Sequence, residues 1–168
     1  MEGLFWIGMA GVFYAYFGYP LLLVVWGWLR PRTVREDEGD PPPISVILPV
    51  HNEAEQLPGR LDDLLSQDYP SERIQLLVVS DGSTDGTVEL ARDRAARDPR
   101  IRVLELRERG GKGRALNAGV AAADRPVLVF TDAGIRLDPG SLRALVAPLS
   151  DPQVGCVSGE DRIEGAGG

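Results

Sequence analysis

Acidic and amide side chains recur where short apolar runs stop. Asn52 and Glu53 follow Ile44-Ser45-Val46-Ile47-Leu48-Pro49-Val50-His51. Asp81 closes Leu76-Leu77-Val78-Val79-Ser80, with Asp85 shortly after it, and Asp132 follows Val127-Leu128-Val129-Phe130-Thr131. Carboxylates are hard oxygen ligands suited to a divalent cation. Another loop, Arg109-Gly110-Gly111-Lys112-Gly113-Arg114, is basic, glycine-rich and opens a helix-compatible segment. Backbone N–H groups at a helix start, with Lys112 and Arg114 beside them, suit a phosphate. Acids and phosphate binders on one rim suit a metal-bridged diphosphate.

Taken singly, each piece has a plainer reading. Lys112 and Arg114 fit a solvated helix start, Asp85 an N-cap of the next helix, and Asp81 a turn residue. The glycine loop is not a Walker loop, because Gly113 follows Lys112 and the earlier glycine is missing, and the dinucleotide-fingerprint spacing also fails. The single histidine, His51, reads as a loop or core residue, with no second histidine for a metal pair. The single cysteine, Cys156, excludes an internal disulfide and, between Gly155 and Val157, reads as a core thiol.

The elements that must carry these residues alternate. Strands are predicted at Ile44–Pro49, ended by a proline that cannot donate to a ladder, and at Ile74–Ser80, Ile101–Leu106, Val127–Phe130 and Val154–Ser158. Between them lie helical patterns: Leu57, Leu61, Leu64 and Leu65; Val88, Ala91 and Ala95; Lys112–Ala123 with Leu116 and Val120 four apart; and Leu142, Leu145, Val146 and Leu149 after Asp138-Pro139-Gly140-Ser141. This is an α/β chain with a mostly parallel sheet and helices on both faces. Parallel strands put their carboxyl ends, and so all these loops, on one rim. Gly82 and Gly86 would let the rim backbone turn tightly beside Asp81 and Asp85.

The chain of 168 residues suffices for one domain and a short extra element. Its net charge of -7 argues against a nucleic-acid partner held by a broad basic field. Leu4–Leu29 carries no charge and as a helix would be ~39 Å long at ~1.5 Å per residue, enough to cross a bilayer. Pro20 should kink or split it. Aromatic residues are plentiful, and Arg30, Arg32 and Arg35 follow at once while the head holds only Glu2. The positive-inside rule then places the rest in the cytoplasm. A cleaved signal peptide would need a basic head and a shorter apolar core, and a buried soluble helix would be shorter and less aromatic. The predicted organisation is a transmembrane anchor at 1–30, an acidic, Pro-rich linker at 31–43, and a soluble domain at 44–168.

In combination the motifs are specific. Ile44–Glu53, VVSDGSTDGT at Val78–Thr87, GKGRALN at Gly111–Asn117 and VFTDAG at Val129–Gly134 resemble the nucleotide-binding half of the family 2 inverting glycosyltransferases, which have the GT-A fold. The likeness covers about Pro43–Ser158, and the head with Gly18-Tyr19-Pro20 is similar to bacterial members that build cell-surface polysaccharide or glycolipid at the inner membrane. The resemblance implies a nucleoside diphosphate sugar donor, by default a UDP-sugar, and a saccharide or lipid-linked acceptor. It implies that Pro49, Val50, Asn52 and Glu53 line the nucleoside pocket, with Glu53 near the ribose. Asp81 would accept a hydrogen bond from the base, Gly82, Ser83 and Asp85 would shape its loop, and Lys112 and Gly113 would lie near the diphosphate or base. Asp132 would open the Asp-x-Asp motif that binds Mn2+ or Mg2+. Here the third motif residue is Gly134, which leaves Asp132 as the motif's single carboxylate. The expected aspartate general base belongs beyond Gly168, Glu160, Asp161 and Glu164 standing too close behind Asp132 for that role, so the chain reads as a donor-binding fragment. A second reading is a non-catalytic nucleotide-sugar-binding or scaffold fragment of a degenerate transferase. A nucleotidyltransferase would want a glycine-rich basic loop after the first strand, where Val50-His51-Asn52-Glu53 stands.

Overall fold

Two strands are buried almost end to end. β1 (Ile44–Val50) and β2 (Ile74–Asp81) carry unbroken apolar, β-branched sequence, as strands covered on both faces must. In the computed structural model, which describes residues 2–30, 34, 39–132, 134 and 136–159, they form the centre of a parallel four-stranded sheet. β3 (Ile101–Leu106) lies outside β2 and β4 (Val127–Phe130) outside β1, giving the order β3-β2-β1-β4. The chain lays down three strands in one direction, then returns to place the fourth on the other side of the first. Such a reversal opens a crevice at the carboxyl ends of β1 and β4. Arg32, Arg35, Glu36, Ala133, Glu160, Asp161 and Glu164 lie outside the described residues.

Alternation along the strands divides the core. Ile44, Val46, Leu48 and Val50 of β1, with Leu76 and Val78 of β2, pack under α3 (Leu57–Leu65), α4 (Thr87–Arg97) and α6 (Ser141–Val146). Ile47, Leu77 and Val79 face the other way, onto α5 (Lys112–Ala122). The buried residues of α5 are Ala115 and Gly119, while Val120 is exposed, so the helix meets the sheet through its small residues. A Cβ at Gly119 would fall 2.5 Å from Ile47 Cγ2.

Three expectations change. Pro49 does not end β1: it pairs with Val79 and Val50 with Ser80. Thr131 N–H donates to Ile47 O at 3.2 Å, so by strand alternation the missing Pro49 N–H also faces β4, which has already stopped at Phe130 opposite Ile47. The proline therefore lies past the last pair of the β1–β4 ladder, where no pairing needs its N–H. Val154–Ser158 is not a strand; it has no ladder partner among the described residues, and Cys156 is exposed. The proline-rich end of the linker is held in place: Pro41 is buried, Arg73 donates to Pro41 O at 2.7 Å, and Tyr69 Oη donates to Pro42 O.

The chain divides into two compact units, 1–35 and 36–168. The first holds α1 (Glu2–Phe13), a π-helical turn (Tyr14–Gly18) and α2 (Tyr19–Leu29). Pro20 does not split this helix. Glu2–Leu29 runs on for 28 residues and contains an 18-residue stretch of mean hydropathy 1.6, long and apolar enough to cross a membrane. Pro20 has no N–H for the carbonyl four residues back, and the wider turn immediately before it, with Tyr19 N–H on Tyr14 O, takes up the misfit.

Candidate functional site at the carboxyl ends of the strands

The loops after β1 and β2 are stitched together. Asn52 takes the left-handed conformation (φ 54°), its N–H donates to Ser83 Oγ at 3.2 Å, and its Oδ1 accepts from Thr84 N at 2.9 Å. Ser83 Oγ also accepts from Ser80 Oγ at 2.9 Å. Glu53 N–H donates to the buried Thr87 Oγ1 at 2.9 Å, and Ala54 N–H to Asp85 Oδ2 at 3.2 Å. Glu53 leaves its half-buried carboxylate without a hydrogen bond among the described residues.

Asp85 accepts from Thr87 N–H at 3.0 Å and from the Thr87 hydroxyl, so it serves the start of α4 from one position before the capping residue Gly86. The Thr87 hydroxyl, followed by backbone N–H groups, holds its carboxyl below the usual carboxylate range. Gly86 itself has φ -74° and open space around it, so no tight turn depends on its being glycine. Gly82 differs. Its φ is +63°, and a Cβ there would lie 2.5 Å from Arg109 N.

Asp81 is 4% exposed, and both its oxygens are engaged. Gly110 N–H donates to Oδ1 at 2.8 Å and Gly111 N–H to Oδ2 at 2.7 Å. The amide of Gly110 first, then that of Gly111 and the charges of His51 and Arg109, hold its carboxyl low against the opposing effect of burial. Two N–H groups of the glycine-rich loop are therefore committed to Asp81, and each Asp81 oxygen retains acceptor capacity. His51, read from sequence as a bystander, donates from Nδ1 to Asp81 O at 2.7 Å.

The far side of the rim carries an ion pair. Lys112, the first residue of α5, reaches across to Asp132 after β4, Nζ to Oδ2 2.6 Å, with side chains 59% and 42% exposed. Gly111 (φ +84°) precedes it, and no side chain caps the helix. Gly113 is exposed in the first turn, while Arg114 folds back over Gly110. Pro49 is half-buried, and Val50 sends its side chain into the core, so only its backbone reaches the rim.

Among the described residues no three His, Cys, Asp or Glu side chains cluster tightly enough to hold a metal by themselves. The donor set offered by Asp132 is one hard carboxylate. That fits a divalent cation shared with a diphosphate and water, not one caged by protein alone.

One residue at this rim escaped the motif reading. Arg60 stands in the apolar stripe of α3, between Leu57, Leu61 and Leu64, and is buried; its Nη2 donates to Thr131 Oγ1 at 2.5 Å. The available signal was its place three residues after Leu57, on the face the leucines define.

Residues 45–165 match the family model described as Glycosyl transferase family 2. Glycosyltransferase AglE of Haloferax volcanii is 35% identical over 118 residues, 70% of this chain and 39% of its own length. The poly-beta-1,6-N-acetyl-D-glucosamine synthase of Staphylococcus epidermidis is 28% identical over 80% of this chain and 32% of its own length. Among solved structures, the mannosyltransferase PcManGT from Pyrobaculum calidifontis, in complex with GDP-Man and Mn2+, superposes with TM-score 0.71 and 37% identity, covering 87% of this chain and 44% of that one. The chain thus spans less than half the length of each of these proteins.

Proposed function

The chain belongs to the family 2 glycosyltransferases, and from that premise we propose that it supplies the donor site of an enzyme moving a sugar from a nucleoside diphosphate sugar to an acceptor hydroxyl with inversion. The observation that carries this reading is the convergence of Asp81, the glycine-rich start of α5 and Asp132 on the crevice beside β1 and β4.

In this reading Asn52, Ser83 and Asp85 hold the first two loops in one shape, so the nucleoside meets a prepared wall. Pro49, the Val50 backbone and Glu53 line that wall, with the unengaged Glu53 carboxylate toward the ribose. Asp81 accepts from the base through its remaining lone pairs. Lys112 and Gly113 face the diphosphate, and Asp132 holds the cation. A bound Mn2+ or Mg2+ would stabilise charge on the departing diphosphate. The acceptor's proton goes to a carboxylate outside the described residues. PcManGT was solved with GDP-Man, so UDP and GDP are both candidates for the base pocket. The Staphylococcus synthase supports a role in polysaccharide synthesis, the apolar helix at Glu2–Leu29 supports a membrane anchor, and the arginines that follow it in sequence support a cytoplasmic donor site.

The test is calorimetry on the full-length protein in lipid nanodiscs, titrated with UDP and GDP with and without Mn2+. Binding of one of them, tightened by Mn2+ in the wild type but not in Asp132→Asn, is the expected result; failure of both to bind overturns the proposal. The lone carboxylate of the metal motif favours one alternative, a domain that binds nucleotide sugar without transferring it. Release of free nucleoside diphosphate from a bound sugar donor separates the two.

A further inference from the structure

Arg60 is placed at a cost. Only 3% of it is exposed, and among the described residues its Nε and Nη1 are buried without a partner and its guanidinium makes one hydrogen bond, from Nη2 to Thr131 Oγ1. Asp63 and Asp132 act on it through space. A cation so buried and half-satisfied is a poor device for stability, and an apolar side chain of similar volume would serve the leucine stripe of α3 at least as well. What the guanidinium does achieve is local. Thr131 is gripped twice, by its backbone N–H on Ile47 O at 3.2 Å and by its hydroxyl under Arg60. Asp132 is the next residue, past the last pairing of β4 with β1 at Phe130 and Ile47. Without the Arg60 bond it would leave the sheet from a backbone held on one side only.

We propose that Arg60 is a positioning residue for the metal carboxylate: by fixing Thr131 from α3 it sets the direction in which Asp132 meets the diphosphate-bound cation. The inference rests on the donor-site reading above. It assigns to the helix after β1 a part in the motif after β4 that the motif residues themselves do not reveal. An arginine suits the task because its planar fork has a fixed direction, which the flexible ammonium of lysine lacks.

The experiment uses the full-length protein in nanodiscs, with Mn2+ binding followed by electron paramagnetic resonance at saturating UDP or GDP, whichever binds the wild type. Arg60→Met should weaken Mn2+ by roughly tenfold or more, as loss of a residue that orients a metal ligand does. Its Tm should stay level or rise, and nucleotide affinity without metal should be unchanged. Arg60→Lys should fall between. Mn2+ affinity within twofold of wild type in Arg60→Met would overturn the assignment. So would a loss of affinity that comes with an equal loss of metal-free nucleotide binding, or a variant that does not fold, since either makes Arg60 a packing residue. A wild-type protein that binds neither nucleotide nor Mn2+ refutes the donor-site reading and this assignment together; normal binding by both proteins refutes this assignment alone.

Discussion

The two halves of the rim are built differently. On the β1–β2 side, Asn52, Ser83, Asp85 and Thr87 tie two loops together, and a buried Asp81 is fastened to the backbone of a third. On the β4 side, the side-chain link to α5 among the described residues is one exposed ion pair between Lys112 and Asp132. A surface pair of this kind is worth about 0–1 kcal/mol, whereas a network satisfied at every member is stiff. In the proposed donor site the rigid base of a nucleotide would meet a preformed wall, whereas a diphosphate and its cation would bring charge of their own, and Lys112 and Asp132 would separate to receive them.

The sharpest way to break this contrast is at its weak side. Asp132→Asn should lower sugar transfer by the full enzyme on the order of a hundredfold, the scale seen when a group serving transition-state charge is lost, while leaving Tm near wild type; initial rates and a melting curve check both. Asp81→Ala should do the reverse on stability. It strands the amides of Gly110 and Gly111, so Tm should drop by several degrees along with nucleoside diphosphate affinity, read by calorimetry. Unchanged Tm would show that the stitched side is not what holds this rim. Lys112→Met should leave Tm within a degree or two, weaken nucleoside diphosphate several-fold, and tighten Mn2+ alone, because Asp132 loses its competitor. Equal effects on both ligands would mean that the pair does not exchange partners.

The smallest effect is in acid. Asp81 and Asp85 both have folded carboxyls held below their ordinary range. The unfolded chain therefore binds protons more tightly, and the stability these groups supply is complete above about pH 4 and is lost as pH falls through the lower folded values. Asp85→Asn should lower Tm slightly at neutral pH and converge on wild type in acid, flattening the acid limb of a Tm-against-pH curve.

Much of this was legible before any coordinates. Val78-Val79-Ser80-Asp81 has a run of β-branched residues closed by an acid, and both the strand and its rim loop stand where that pattern puts them. Pro49 misled because a proline's effect on a ladder depends on whether a neighbour still runs beside it, and β4's stopping point is a tertiary fact. Val154–Ser158 is apolar enough for a strand, but a strand needs a partner, which composition does not supply. Leu116 and Val120 caught the eye as an apolar pair, yet the inward face of α5 is the smaller Ala115 and Gly119, since side-chain size sets how closely a helix approaches. The roles expected of Glu53 and Gly113 rest on likeness, as neither makes a side-chain contact that identifies its purpose.

Gly119 carries a mechanical consequence. With no Cβ between α5 and Ile47, the helix lies nearer the sheet than a side chain at position 119 would allow without Ile47 moving, and Lys112 at its amino end inherits that depth. A single methyl at Gly119 would act as a shim, lifting the helix and drawing its first turn back from Asp132. The reach of a charge at the mouth of the crevice is thus gauged by an atom missing from the floor.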